Sequence, residues 1–233
     1  MGRQAMNAPT KARMRRKADR PGEILDAAFE EFATHGYAAT RLEDVAKRVG
    51  VTKGTIYFYF ETKERVFDEM IRHVSRPVFD EVTSFVAALE GPFGVRLRAL
   101  LDFLFRFIAE ERVGREVMRF LIAEGARFPD LVERNHRELL VPCLERLREM
   151  IAAGIKAGEF RATPALRYPE LIFSPALLLN VWWLLFDNRH QIDVKMFIDA
   201  QFDLLMDGLS MGGLESEPKR VSAKLPRSGR SRA

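Results

Sequence analysis

Apolar residues recur at helical spacing along almost the whole chain, and almost nothing alternates as a strand would. That pattern points to an all-α fold, in which amphipathic helices bury their stripes against one another. Residues 22–35 place Ile24, Leu25, Ala28, Phe29 and Phe32 on one stripe, and Gly36 then ends the helix. Thr40, with Glu43 three residues on, has the spacing of a capping box. It opens a short helix carrying Leu42, Val45, Ala46 and Val49 in phase, which stops at Gly50. A third short helix is expected over 52–59. Thr62 is placed to cap a fourth running towards Ser75, with Pro77 as a break or kink. After the Gly91-Pro92 turn, helices are expected near 94–110, 114–125, 130–157, 165–187 and 193–209.

This periodicity divides the chain into a basic flexible arm over 1–20, a small three-helix unit over 21–68, a larger helical body over 69–212 and a basic flexible tail over 213–233. The charge distribution supports the same division. Residues 1–20 carry a net +6 and residues 215–233 a net +4, so a total of +4 leaves the middle at −6. Basic ends on a mildly acidic body fit a polyanion partner or simple solubility.

A hydrophobic content of 47% over 233 residues is ample for a packed core. The single cysteine, Cys143, permits no intrachain disulfide and suits a reducing, cytoplasmic setting; without a neighbouring activator it reads as a buried thiol. No apolar segment follows the basic N-terminus, so it does not read as a secretory leader. The longest apolar run, "LIFSPALLLNVWWLLF" at 171–186, has 16 residues. A bilayer span needs about 20, so the run reads as a buried helix and no membrane partner is expected. The four histidines are scattered without metal-ligand spacing, and no P-loop, dinucleotide fingerprint or catalytic constellation stands in the sequence. Neither a metal, a cofactor nor an enzymatic activity is expected.

The stretch "GVTKGTIYFYFETK" at 50–63 carries the function. Two short helices joined by a glycine turn follow the helix-turn-helix plan, with Ala46 small enough for the crossing and Gly50 free to take positive φ. Helical phase sets Ile56 and Phe60, four apart, on the packed face. Thr52, Lys53, Thr55, Tyr57 and Tyr59 then fall largely on the exposed side. Exposed hydroxyls and an ammonium suit phosphate and base-edge contacts, and Gly54 leaves room for close approach to a groove. On this reading the phenyl rings hold the unit together and the phenols face DNA. The competing reading places all four aromatics of Tyr57-Phe58-Tyr59-Phe60 in the core.

Residues 23–67, which include "ILDAAFEEFATHGYAATRLEDVAKRVGVTKGTIYFYFETKERVF" from Ile24 on, resemble the DNA-binding domain of the TetR family of bacterial transcriptional regulators. The matching features are Gly36-Tyr37, Thr40, Val45-Ala46, Gly50-Val51, Gly54-Thr55-Ile56-Tyr57 and Phe60-x-x-Lys63-Glu64. The segments "AEGARFPDLVERNHRELL" and "AGIKAGEFR" are similar, more loosely, to the C-terminal domain of TetR/AcrR members. The resemblance implies that Thr40 and Tyr57 anchor phosphates, and that Lys53, Gly54 and Thr55 lie near base edges. It further implies that Tyr59 sits at the groove and that Lys63 reaches the DNA backbone. Arg41 stands where a small hydroxyl residue is common and adds a phosphate contact or a solvated charge. Glu61 puts an acid beside Lys63.

The resemblance further implies a ligand-binding and dimerisation body. Its expected pocket residues are Phe103, Phe107, Met118, Phe120, Asn180 and Trp183, with Arg119 and Arg127 as pocket groups or surface charges. Asn180, an amide in an apolar helix, needs a partner that is either another helix or the ligand. The helix over 165–187 is apolar on nearly every side, so it and the last helix are expected to pair with their symmetry mates through Leu178, Trp182, Leu185, Phe202 and Leu205. The expectation is a homodimeric repressor of a palindromic operator on double-stranded DNA. A small, largely apolar or aromatic inducer would release it, with control of an efflux transporter as the first reading. A catabolic or lipid-related operon is the alternative, and a non-specific architectural DNA binder a further one.

Overall fold

The computed structural model describes residues 11–107, 111–186 and 189–209. Every regular element among them is helical. The tail over 213–233 and the first ten residues of the arm lie outside the described residues. Residues 11–20, expected as an irregular arm, are instead the first turns of α1, Lys11–Ala39. Lys, Arg, Ala and Met are strong helix formers, and propensity decides where no apolar stripe is present.

The backbone of α1 leaves helical geometry at Gly36, with φ 74° and ψ 169°, as the glycine signal requires. α2, Leu42–Val49, ends on Gly50 in the left-handed region at φ 72°, ψ 37°. The capping box does not form. Arg41 occupies the N-cap of α2 without a side-chain bond, because the Thr40 hydroxyl turns back to the carbonyls of α1. α3, Lys53–Phe60, is capped by Thr52, and α4, Lys63–Ala88, by Thr62; each hydroxyl accepts from the amide three residues on, at 3.2 and 3.0 Å.

Pro77 does not break α4. Met70 and Ile71 before it and Val82 after it are all buried, and packing on both sides holds the helix through the missing amide bond. α4 thus joins the small N-terminal head to the body. The body continues with α5, Phe93–Phe105, α6, Arg112–Glu124, α7, Pro129–Asn135, and α8, Val141–Lys156. α9, Glu170–Phe186, and α10, Val194–Leu209, complete it. The single helix expected over 130–157 is interrupted by a π turn, His136–Leu140. Pro142 has no N–H for the Glu138 carbonyl and its ring crowds that oxygen, so the chain widens, and the Val141 amide reaches back to His136.

Two apolar cores result. The head core gathers Ile24, Ala28, Phe32, Val45, Ile56, Phe60 and Phe67, and it also takes Val117 and Phe120 from α6 and Leu131 from α7. The body core is built on Leu97, Leu101, Phe105, Leu147, Ile151, Ile172 and Leu179. Among its described side chains, α9 buries one stripe, Ile172, Ala176, Leu179 and Asn180. Its other side leaves Leu171, Leu178, Val181, Leu184 and Leu185 exposed. No helix among the described residues is long and apolar enough to cross a membrane.

Candidate nucleic-acid interface and effector cavity

α3 is anchored by Ile56 and Phe60, 0% and 6% exposed, which sit four apart on the head core. The opposite side presents Thr52, Lys53, Gly54 and Tyr57 to solvent, with Thr55 half-buried. Arg41, Lys47 and Arg48 are exposed beside it, and Arg48 is tied to Glu31 at 2.7 Å. The Thr52 and Thr55 hydroxyls lie 3.0 Å apart, so the two side chains share one small polar ridge. Lys53 is not a free ammonium. Its Nζ sits 2.6 Å from Glu43 Oε1 of α2 and 5.4 Å from the centre of the Tyr57 ring. Hydrogen bonding to Lys53 holds the Glu43 carboxyl below its ordinary range, and the same bond raises the ammonium.

Four sequence expectations change here. Thr40 is 3% exposed, and its one hydroxyl proton goes to the carbonyl of Gly36 at 2.7 Å, with that of Glu31 at 3.1 Å also in reach. It secures the end of α1 rather than facing outward. Tyr59 is half-buried against the head core, edge-on to Phe58. Phe58, assigned with the other phenyls to the interior, is 75% exposed. The phase of α3 explains the exchange, because the face set by Ile56 and Phe60 draws residue 59 inward and turns residue 58 out. Lys63 is half-buried, donates to the Ala38 carbonyl at 3.3 Å and lies 4.6 Å from the Tyr37 ring centre. Desolvation pulls its ammonium below the ordinary lysine range. Lys63 thus ties the start of α4 to the end of α1. Tyr37 beside it donates to Glu64 at 2.9 Å, and burial pushes the phenol up to about 12.

The body contains an apolar cavity of about 300 Å³. α4 gives it Ser75, Val78, Phe79, Val82 and Val86, and α5 with the turn after it gives Leu100, Leu104 and Phe107. α6 contributes Gly114, Val117, Met118 and Leu121 at helical spacing. The α7–α8 region adds Asn135, His136, Leu140, Cys143, Arg146 and Leu147 among others, and α9 adds Leu177. Burial pushes the Cys143 thiol up to about 11, as suits a packed, uncharged sulfur.

Of the expected pocket residues, Phe107 and Met118 line the cavity. Phe103 does not; it is buried and stacks on Phe85 at 4.9 Å. Phe120 lies on the other side of α6, edge-on to Phe67 in the head core at 5.4 Å. Asn180 is 1% exposed on the buried stripe of α9, and Trp183 packs on the body core, both away from the cavity. Arg119 pairs with Glu116 and donates to the Ala33 carbonyl at 3.1 Å, and Arg127 lies over the Tyr37 and Phe128 rings. Neither reaches the cavity. The sequence reading missed Ser75, a small hydroxyl in phase with Ile71, Phe79 and Val82, and the π turn that brings His136 to the wall. The polar break in an apolar stripe was the available signal for the first, and Pro142 for the second.

α6 is the wall shared by the two regions. Gly114, Met118 and Leu121 face the cavity, Phe120 enters the head core, and Val117 touches both. Arg112 adds a two-bond clamp on Glu30 of α1, at 2.7 and 3.0 Å.

The expected interface positions separate into two groups. Leu178 and Leu185 are 53% and 62% exposed. Trp182 is half-buried and donates its indole N–H to the His190 carbonyl at 2.8 Å. Phe202 and Leu205 pack on the body core, with the Arg98 guanidinium over the Phe202 ring, so the exposed apolar positions of α10 are Met196 and Leu204 instead.

Comparison with known proteins gives matches over both regions. Residues 24–70 match the model described as "Bacterial regulatory proteins, tetR family". Residues 95–166 match "AefR-like transcriptional repressor, C-terminal domain". The HTH-type transcriptional repressor KstR2 of Rhodococcus jostii is 30% identical over 204 residues, covering 83% of this chain and 93% of that protein. A TetR/AcrR regulator from Thermobifida fusca superposes with a TM-score of 0.63 at 26% identity, over 82% of this chain and 98% of that one. The regulator FadR of Bacillus subtilis, solved with stearoyl-CoA, superposes with a TM-score of 0.66 at 22% identity, over 80% and 98% of the two chains.

Proposed function

The chain belongs to the TetR family of bacterial transcriptional regulators, and on that premise we propose that it binds a palindromic operator as a homodimer and leaves it when a small, largely apolar effector fills the cavity. The observation that carries this reading is the double role of α6, whose two sides belong to the effector cavity and to the head core. An effector that spreads the cavity moves α6 against α1 and α4, and the heads move with it. It releases DNA only if it binds the DNA-incompetent arrangement more tightly.

In this reading α3 enters the major groove. Tyr57, Thr52 and Arg41 meet phosphates, and Lys53, Gly54 and Thr55 lie near base edges, with Phe58 available for a thymine methyl. The two-fold partner repeats the contacts about one helical turn away, at roughly 34–36 Å. The exposed apolar side of α9 with Met196 and Leu204 of α10 is the surface that suits such a dimer.

Two kinds of regulated gene fit an apolar effector. Efflux control was the first reading of the sequence. A catabolic or lipid-related operon is favoured by structural neighbours that include fatty-acid regulators. The test is titration of the purified protein against DNA from its own upstream region, with candidate effectors added to the preformed complex. A true effector stabilises the free protein thermally and weakens the operator complex by about 1–3 kcal/mol of reciprocal coupling. A compound that binds in the cavity and leaves operator affinity unchanged sinks the coupling through α6. Footprints without sequence preference favour the architectural reading.

A further inference from the structure

The polar residues of the cavity wall are unequally placed. Arg146 and His136 are exposed, Asn135 and Cys143 are half-buried, and Ser75 is buried at 2% exposure. Ser75 also differs from other hydroxyls on the helices. Thr83 and Ser84, further along the same α4, bond back to the carbonyls of Phe79 and Asp80 at 2.8 and 2.9 Å. Thr34 of α1 does the same with Glu30 at 2.8 Å. Such back-bonding is the ordinary way a helical hydroxyl is satisfied. The Ser75 Oγ makes no hydrogen bond to any of the described residues, although it is buried and lines the cavity. A buried hydroxyl without a partner destabilises the structure around it, and a hydrogen-bond acceptor placed in the cavity can relieve that cost.

We propose that the cavity takes an effector with an apolar body and one neutral oxygen, a carbonyl or ester, at its buried end, and that Ser75 is the residue that selects for that oxygen. The inference rests on the cavity being the effector site. The apolar walls admit the body, and a plain hydrocarbon fills them but leaves the hydroxyl unmet. The oxygen is neutral because the lining residues able to carry positive charge, Arg146 and His136, are both exposed, and Arg146 is already paired with Glu149 at 3.1 Å. A carboxylate at the buried end would lose its water and gain one hydroxyl in return. The Ser75 O–H donates to the effector oxygen, which accepts.

The experiment compares two molecules of nearly the same shape, 2-acetylnaphthalene and 2-isopropenylnaphthalene, which differ by C=O against C=CH2. The smaller pair acetophenone and α-methylstyrene is run alongside. Calorimetric titration of the full-length protein gives the affinity ratio, ketone to alkene, for the natural chain and for Ser75→Ala. Comparing the two ratios removes the greater tendency of the alkene to leave water. The ratio should fall about three- to tenfold in Ser75→Ala, the size of one hydrogen bond, and Ser75→Cys, whose slightly larger thiol donates poorly, should lie between. An unchanged ratio overturns the proposal. Melting of the ligand-free proteins gives a second reading. Ser75→Ala should melt at or above the natural chain, and a clear fall would mean that the hydroxyl is already satisfied in the free protein, which also overturns it. If neither pair binds the natural chain, the cavity is not the effector site. That failure belongs to the earlier functional reading and takes this inference with it.

Discussion

The head and the body are built from the same kind of helix but treat their interiors differently. In the head, Phe32, Tyr37, Phe67, Phe120 and Phe128 form one contiguous aromatic cluster, with neighbouring ring centres about 5–6 Å apart. Its polar groups are spent internally: Thr40 on carbonyls of α1, Lys63 on Ala38, Tyr37 on Glu64 and Arg112 on Glu30. The body keeps a cavity of about 300 Å³, a buried hydroxyl that bonds to none of the described residues, and an apolar helix side facing water. A surface that reads DNA has to keep its shape when occupied, and close packing supplies that. A region that answers to a ligand and a second subunit has to leave space and apolar surface for them.

The largest effect is expected where the body leaves that surface. The double variant Leu178→Glu with Leu185→Glu places two carboxylates on the exposed side of α9. It should leave the fold intact and yield monomer in sedimentation, because neither charge would find a partner in an apolar contact. Phe202→Glu should behave differently. Its ring packs on the body core beneath Arg98, so that change should unfold the body rather than separate subunits. A dimer retained by the double variant would place the interface elsewhere and remove one half of the contrast.

Packing itself gives the next test. Phe67→Ala removes the centre of the head cluster, 0% exposed, and should cost about 3–5 kcal/mol. Phe107→Ala, at the wall of an existing cavity, should cost roughly 1 kcal/mol. Urea unfolding at one fixed protein concentration measures both. Similar costs would mean that the body is packed as tightly as the head.

The same contrast explains how much was legible in the sequence. The head follows local rules: Gly36 and Gly50 at helix ends, Thr62 at an N-cap, Ile56 and Phe60 in phase. Each depends on near neighbours, so the plan of the head could be read directly. Two of its errors were local, the phase that turns Phe58 out and Tyr59 in and the back-bond of Thr40 to Gly36, and the others came from contacts across the fold. Nothing local says that Lys63 turns to the Ala38 carbonyl, or that Glu43 reaches Lys53 from another helix. In the body the existence of the helices was readable, but the choice of which face lines a cavity was not. Phe103 and Phe107 lie one turn apart on similar chemistry, yet one stacks on Phe85 and the other faces the void. Only the packing of α4, α6 and α8 around them makes that choice.

Alkaline titration probes the polar side of the contrast. The Tyr37 phenol is raised from 10.0 to about 12, chiefly by burial and next by its bond to Glu64. The folded state therefore holds its proton longer than the unfolded chain, and stability that is complete below pH 10.0 is lost as pH rises towards about 12. Cys143, raised from 9.0 to about 11, acts in the same direction over a lower window. Tyr37→Phe should flatten the upper part of the alkaline limb of a melting-temperature profile and leave the part owed to Cys143. A limb unchanged by Tyr37→Phe would show that the phenol is not held by the head as its surroundings require.

The smallest effect concerns the one acidic side chain paired to the recognition helix. Glu43 and Lys53 form an exposed pair at 2.6 Å, so the pair itself adds little to stability. Its consequence is electrostatic. The Glu43 carboxylate cancels the Lys53 charge where phosphates and base edges would approach, and holds the ammonium near Tyr57. Glu43→Gln removes the cancellation without removing Lys53. Affinity for random duplex should rise a few-fold, and the salt dependence should steepen by roughly one counterion per head. Operator affinity should rise less, so discrimination falls. Lys53→Ala tests the other half of the pair, and should lower operator affinity more than affinity for random duplex. Folding stability should stay unchanged in both variants, which separates this outcome from damage to the head. If Glu43→Gln leaves both the salt slope and the discrimination ratio where they were, Lys53 already leaves Glu43 on binding DNA, and the head is less rigid at its reading edge than its core implies.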